Sequence, residues 1–417
     1  MPRIDAERLL DDLATLRRFG AKGAGVVRPA FSAEDMAARR WLREQFEAAG
    51  LEASIDGVGN VLGRSRKSGP ALLIGSHSDT QPTGGWLDGA LGVVYALETV
   101  RALAADPATA ALAVDAISLQ DEESRFLGCL GSRSLCGLLT PELEADVTDQ
   151  NGVALADALA GAGLAGVARA GLEPGWHVGF LEAHIEQGPH LDDAGNRIGV
   201  VTGIVGLRGL RFLFRGQQNH AGTTMMSRRR DAATALYGFA HGLNGAFAAA
   251  AGARTVWTMG RARIEPNAPS IVPGYAELDL QFRDESPALL DTLQALALRL
   301  AEDANRAGPV TVEAIPARAP ISPTQMDPGL RAHLQRAAQQ HAPGKWVDMP
   351  SGAFHDAGIV SQKLPSAMLF IPSIDGISHD FAEDSRAGDI VLGCQVLADG
   401  AASILQSVGR TADVAAQ

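Results

Sequence analysis

Between Gly75 and Val93 the chain reads GSHSDTQPTGGWLDGALGV, which gathers His77, Asp79 and Asp88 in one glycine-rich loop behind the apolar run ALLIG. Imidazoles and carboxylates without cysteine suit zinc, manganese, cobalt or nickel. More of them occupy similar loops: Asp121, Glu122 and Glu123 in QDEESRF, Glu182, His184 and Glu186 in EAHIEQG, His220 in QNHAGTT, His355 in AFHDAG and His379 in GISHDFAED. A site rich in carboxylates can hold two ions through one bridging group, and such a pair polarises a carbonyl and activates a water. Each residue also has a plainer role open to it. A histidine beside glycine is commonly a hydrogen-bonded surface or core residue, and DEE alone is commonly a solvated turn. The constellation says more than its members, because burying Asp121, Glu122 and Glu123 beside an apolar strand is costly unless cations compensate.

The elements that must position these residues alternate in kind. Helical patterns cover Ala6–Phe19 and Ala33–Ala49, the second ending at Gly50. Strand patterns follow at Leu51–Ile55, Asn60–Arg64 and Ala71–Gly75, then a helix in GALGVVYALETVRALAA and a buried strand in AALAVDAISL. This order predicts an α/β fold with a mixed, mostly parallel sheet, whose ligands gather at the carboxyl ends of its strands. The GSHSD and QDEESRF loops both leave such ends. Near Gly206 the pattern changes. GLRGLRFLFRG alternates like a half-solvated strand, an alanine-rich helix follows, and two more strands precede a helix at Pro287–Ala307. A smaller α+β domain over 210–317 is therefore expected, inserted into a catalytic domain formed by 1–209 and 318–417. That catalytic domain resumes with a helix at Gly329–Gln340, the strand SAMLFIP and a last helix at Gly388–Val408.

Composition narrows the function. The chain has 417 residues, 46% hydrophobic and 20% charged, with a formal net charge of −12. That balance suits a soluble globular protein and argues against nucleic acid or an anionic membrane as a partner. The basic run SRRRD at Ser227–Asp231 reads as a solvated helix start. Three cysteines, Cys129, Cys136 and Cys394, form no CxxC pair and are expected reduced, in the cytoplasm. The N-terminus reads as an amphipathic helix rather than a signal peptide. No membrane span is expected; Ala232–Ala251 comes closest but carries His241, Asn244 and three glycines.

Ten pieces in order resemble a known family: GSHSDTQPTGGWLDGALGV, DEESRF, LGSR, HIEQGP, GVVTGIVG, NHAGTT, RRDA, EPNAPSIVPG, SGAFHDA and GISHDFAED. Together they are similar to the amidase branch of the di-metal aminoacylase/carboxypeptidase superfamily. That branch holds N-carbamoyl-L-amino acid hydrolases, β-ureidopropionases, and allantoate and ureidoglycolate amidohydrolases. The resemblance implies two divalent ions per subunit, zinc first, with manganese, cobalt or nickel as alternatives. It implies His77, Asp88, Glu123, His184 and His379 as metal ligands, with Asp88 bridging. One ion would take His77, Asp88 and either Glu123 or His379, and the other the remainder with His184. Asp79 would orient the His77 imidazole and Glu122 would be the general base. Gln187 would face the substrate, His220 would polarise the scissile carbonyl, and Asn267 and Arg283 would hold a substrate carboxylate. His355 and Asp356 would be neighbours of the ligands. A homodimer through the inserted domain is implied, with His220 reaching its own site or a partner's, and the domains closing over a small ureido or carbamoyl substrate.

The chain departs from the family pattern in four places. Only Ser124 separates Glu123 from RF, so an ungapped reading would make Asp121 the base and Glu122 the ligand. Met225 replaces a proline after NHAGTT. Phe354 stands for a glycine in SGAFHDA, and Asp380 and Phe381 stand where a small residue and a proline are usual. The last two changes are expected to reshape the pocket. The favoured activity is hydrolysis of an N-carbamoyl amino acid to the amino acid, carbon dioxide and ammonia. Allantoate or ureidoglycolate hydrolysis, a related aminoacylase or peptidase, and a non-catalytic binding homologue are the alternatives.

Overall fold

The computed structural model describes residues 2–415 except Pro174 and Arg318. The chain separates into two compact units, Met1–Thr202 with Met326–Gln417, and Gly203–Gln325. The division falls a few residues outside the boundaries expected from sequence. The strand Gly206–Arg215 belongs wholly to the second unit, and a bridge from Leu207 to Ile321 closes its base. Arg318, where the first domain was expected to resume, lies outside the described residues.

In the first unit the helices start on side-chain caps. Asp5 accepts the Arg8 N–H and Ser32 accepts the Asp35 N–H, which satisfies amides that the first turn leaves open. The sheet is mixed. Its central strands Ser366–Ile371, His177–Ile185, Ala71–His77 and Ala113–Leu119 run parallel in that order. Val61–Arg64 and Glu52–Ile55 extend one side antiparallel, and Ile198–Ile204 pairs antiparallel with Ser366–Ile371 on the other. Ala71–His77 and Ala113–Leu119 are buried at every position, as strands covered on both faces must be. Helices Ala90–Ala105 and Ala387–Ala415 contribute much of the core through Val93, Leu97, Leu103, Val396, Leu397 and Ala401. Among the described residues one helix is long and apolar enough to cross a membrane, and it is Ala387–Gly409 rather than Ala232–Ala251. Most of that stretch is buried in the protein's own core.

The second unit is an antiparallel four-stranded sheet, ordered Val256–Glu265, Tyr275–Asp284, Gly206–Arg215, Thr311–Pro316. Helices Ala232–Ala250 and Pro287–Ala307 bury one face with Phe212, Phe214, Phe239, Leu243, Phe247, Phe282 and Leu290. The alternation read in GLRGLRFLFRG is explained by Arg211, which turns to the other face and pairs with Asp279 at 2.6 Å.

Candidate metal centre and active site

Parallel register brings the candidate ligands to one edge. His77 is the last residue of its strand and pairs with Leu119, so Asp121–Glu123 leave the neighbouring strand at the same level. His184, one residue before its strand ends, pairs with Phe370 on the far side. Asp88 arrives on the loop before helix Ala90–Ala105, and His379 on the loop after Ser366–Ile371. Gly89 permits this approach: it holds φ +64, and a Cβ there would lie 2.4 Å from the His77 ring.

Asp88 is the centre of the arrangement. Its Oδ1 lies 3.0 Å from His184 Nε2 and 3.6 Å from His77 Nε2, and its Oδ2 lies 3.3 Å from His379 Nε2. Two groups result, His77–Asp88–His184 and Asp88–Glu123–His379, each close enough to share one ion. The partition expected from the resemblance put His77 and His184 on different ions, whereas this grouping places them together. The two imidazoles stand on adjacent parallel strands and meet the same oxygen of Asp88.

The donor set fits cations. His77 Nδ1 donates to the Asp79 main-chain carbonyl at 3.0 Å, and His184 Nδ1 donates to the Ile185 carbonyl at 2.9 Å. With the protons placed there, both Nε2 lone pairs face Asp88, a pure acceptor. The Gly89 N–H, pointing at His184 Nε2 from 3.2 Å, agrees with an unprotonated nitrogen. Lone pairs facing a carboxylate in a buried site call for a cation between them. Burial opposes charge on His77, but Asp88 and Glu122 push its pKa well above the ordinary value, and Asp88 raises that of His379 to about 9. Burial alone would raise Asp88, yet three imidazoles hold it well below the usual carboxylate range. Burial pushes Glu122 well above that range, and burial with Asp88 pushes Glu123 to about 7.

The acidic run divides its labour. Asp121 accepts the N–H groups of Arg125 at 2.7 Å and of Phe126 and Leu127 at 2.9 Å, so both its oxygens are committed to forming the loop. Glu122 instead reaches Oε2 to within 3.8 Å of His77 Nε2, and Glu123 reaches Oε1 to within 3.7 Å of His379 Nε2. Asp79, expected to orient the His77 imidazole, faces it with its carboxylate and holds it with its main-chain carbonyl. Its carboxylate stands 3.8 Å from His77 Nδ1 and accepts the Glu122 and Glu123 N–H groups at 3.4 and 3.2 Å. Its main-chain carbonyl is the imidazole's partner.

Gln187 and His379 hold positive φ, as do Asp121 and Asn267, and such strain collects where geometry serves function. Gln187 Nε2 donates to Asp88 Oδ2 at 3.1 Å, while its Oε1 is buried without a hydrogen-bond partner among the described residues. His355 stacks edge-on against His184, with centroids 4.5 Å apart, and Asp356 accepts the Ser132 hydroxyl at 2.6 Å. Phe381 packs on Gly25, with Lys22 Nζ 5.6 Å from its ring centroid. That contact ties the His379 loop to the N-terminal hairpin.

In the second unit, His220 pairs with Ile271, and the Ala221 N–H donates to the Ser270 carbonyl at 3.0 Å. The His220 loop therefore lies against the segment carrying Asn267. His220 Nδ1 accepts the Gly222 and Thr223 N–H groups at 3.0 and 3.2 Å, which leaves the proton on Nε2, free to donate. Arg229 braces that loop through the Ala221 and Thr224 carbonyls. Arg283 is the next-to-last residue of the strand Tyr275–Asp284, in register with Leu207 and Val256.

Sequence reasoning missed two buried arginines beneath the site. Arg39 pairs with Asp35 at 2.9 Å, donates to the Ser118 and Leu119 carbonyls, and lies 3.8 Å from Asp79. Arg28 donates to the Ser78 carbonyl at 2.6 Å. Both sit in segments that read as ordinary solvated helix and loop, so only their tertiary partners single them out.

The model of peptidase family M20/M25/M40 matches residues 73–402. The N-carbamoyl-L-amino acid amidohydrolase of Geobacillus stearothermophilus is 34% identical over 94% of this chain and 97% of its own. The allantoate amidohydrolase of Escherichia coli K12 is 33% identical over 93% and 95%. The crystal structure of a hydantoinase/carbamoylase-family amidase from Burkholderia phymatum superposes with a TM-score of 0.93 at 50% identity, covering 98% of this chain and 99% of that one. A parallel sheet that brings two His/carboxylate groups around Asp88, together with these similarities over nearly the whole chain, makes the protein a member of peptidase family M20/M25/M40, and a hydrolase of amide C–N bonds.

Proposed function

We propose that the protein cleaves the carbamoyl C–N bond of an N-carbamoyl amino acid. The observation that carries this reading is the shared Asp88, whose two oxygens face two separate ligand groups with Glu122 beside them. A pair of divalent ions, held by His77, Asp88 and His184 and by Asp88, Glu123 and His379, would polarise the scissile carbonyl and acidify a water. Zinc suits this donor set best, with manganese, cobalt or nickel as alternatives.

The chain's own groups do the rest. Glu122 takes a proton from the attacking water and delivers it to the leaving nitrogen. His220 donates its Nε2–H to the oxygen that gains charge. Gln187 Oε1 accepts from the substrate NH2, and Asn267 and Arg283 hold the carboxylate, where a guanidinium fork bonds twice. Asp79 keeps the Glu122–Glu123 main chain in place. The carbamate formed breaks down to carbon dioxide and ammonia and leaves the amino acid. We further propose a cytoplasmic homodimer joined through Gly203–Gln325, which acts as a lid.

Turnover of N-carbamoyl amino acids, allantoate, ureidoglycolate, N-acyl amino acids and dipeptides by zinc- or manganese-loaded protein tests the reading. N-Carbamoyl substrates are expected to have the highest kcat/KM. The E. coli relative makes allantoate the second reading, and an allantoate preference would establish it. Turnover confined to peptides or N-acyl amino acids, or to nothing, would defeat both.

A further inference from the structure

Glu383 is buried, with 2% of its surface exposed, between the loops that deliver Asp88 and His379. Its Oε1 accepts the main-chain N–H groups of Asp88 at 3.1 Å and Leu87 at 3.3 Å, and its Oε2 accepts the Ser378 hydroxyl at 2.9 Å. Ser378 adjoins His379. Gly85 leaves the room: a Cβ there would lie 1.9 Å from Glu383 Oε1. The same two loops are tied again by Thr83 to the His379 carbonyl at 3.4 Å and by Trp86 to Asp384 at 3.2 Å. His379 holds a left-handed backbone (φ +55) on a half-exposed loop, so it needs such an anchor.

We propose that Glu383 is a positioning residue: it fastens the Leu87–Asp88 main chain to Ser378 and so sets the distance between the Asp88 carboxylate and the His379 imidazole. This rests on the two-metal reading above. Groups that orient metal ligands commonly govern affinity about 10–100-fold. Here the effect should be selective, because His77 and His184 are fixed by their own strands. The ion of the Asp88–Glu123–His379 group is the one that loosens.

The test is metal retention by full-length protein. Wild type, Glu383→Ala and Glu383→Gln are loaded with zinc, passed through graded chelator and measured for bound metal, melting temperature, kcat and KM. Glutamine can still accept both N–H groups and reach Ser378. The expected result is one tightly held ion in Glu383→Ala with the second released at roughly 10–100-fold lower chelator, and near wild-type retention in Glu383→Gln. If Glu383→Ala does not fold, Gly85→Ala, which displaces the carboxylate, is expected to give the same selective loss. A folded alanine variant holding both ions like wild type overturns the proposal, and so does equal loss in alanine and glutamine variants. Wild type binding fewer than two ions would instead defeat the two-metal reading itself.

Discussion

Glu122→Gln and Asp121→Asn should separate chemistry from architecture within a single turn of chain. Glu122 faces His77 Nε2 at 3.8 Å and is buried, which disfavours its charge. Glutamine keeps its shape and removes the proton acceptor. A positioned general base contributes about 10²–10⁴ in rate, so kcat should fall by that factor, about 3–5 kcal/mol in barrier. Stability should not fall, since a buried carboxylate is replaced by a neutral amide. Asp121 is the opposite case. It satisfies three main-chain N–H groups, and an asparagine amide keeps one oxygen and turns a donor toward at least one of them. A buried orphaned donor costs about 1–3 kcal/mol, so Asp121→Asn should lower the melting temperature and leave measurable turnover. The assay is kcat on metal-saturated protein, alongside thermal melting and bound metal for both variants. Glu122→Gln turning over within threefold of wild type would refute the reasoning. So would Asp121→Asn losing turnover with stability and metal content intact, which would make Asp121 the base.

The metal-free protein should lose stability as pH rises from about 4 to 9, the carboxyls acting up to about 7–8 and His379 from about 6.5 to 9. Asp121 is raised to about 8, mainly by burial, and Glu123, Asp356 and Glu383 to about 7; a carboxyl raised in the folded state stabilises below its unfolded pKa, near 4, and that contribution is lost through the folded value. His379, raised to about 9 by Asp88, adds a loss of the same sign above pH 6.5; a chelated protein whose melting temperature climbs across this window would contradict the site's charge pattern. Arg283→Lys should raise KM for carboxylate substrates about 10–100-fold, the worth of a charge-assisted second bond, with kcat changed far less; steady-state kinetics showing an unaltered KM would remove Arg283 from substrate binding. Gly89→Ala, with its methyl 2.4 Å from the His77 ring and φ +64, should lose the ion of the His77 group, and normal metal content in that variant would show that the loop has room to spare.

Much of the first unit was legible because its elements are local patterns. The helix Ala33–Ala48 with its Ser32 cap and Gly50 end, and the wholly apolar Ala71–Gly75, announce themselves in a few residues. Strands Ile198–Ile204 and Trp346–Ser351 did not, because glycines and a proline interrupt their pattern and their partners are distant in sequence. The candidate ligands could be picked out from motifs, but their grouping could not. That His77 and His184 share Asp88 Oδ1 follows from strand order, which no local pattern encodes. The same holds for Arg28, Arg39 and Glu383, charged residues whose burial depends on partners 50, 79 and 295 positions away. Asp121 is instructive in another way. It looked equivalent to its glutamate neighbours until the three N–H groups it accepts placed it in the loop's own scaffold.

Anomalous diffraction from crystals of zinc-loaded protein addresses the pairing of ligands most directly. Two peaks are expected per chain, one among His77, Asp88 Oδ1 and His184, the other among Asp88 Oδ2, Glu123 and His379. A single peak, or two peaks that do not share Asp88, would contradict the account.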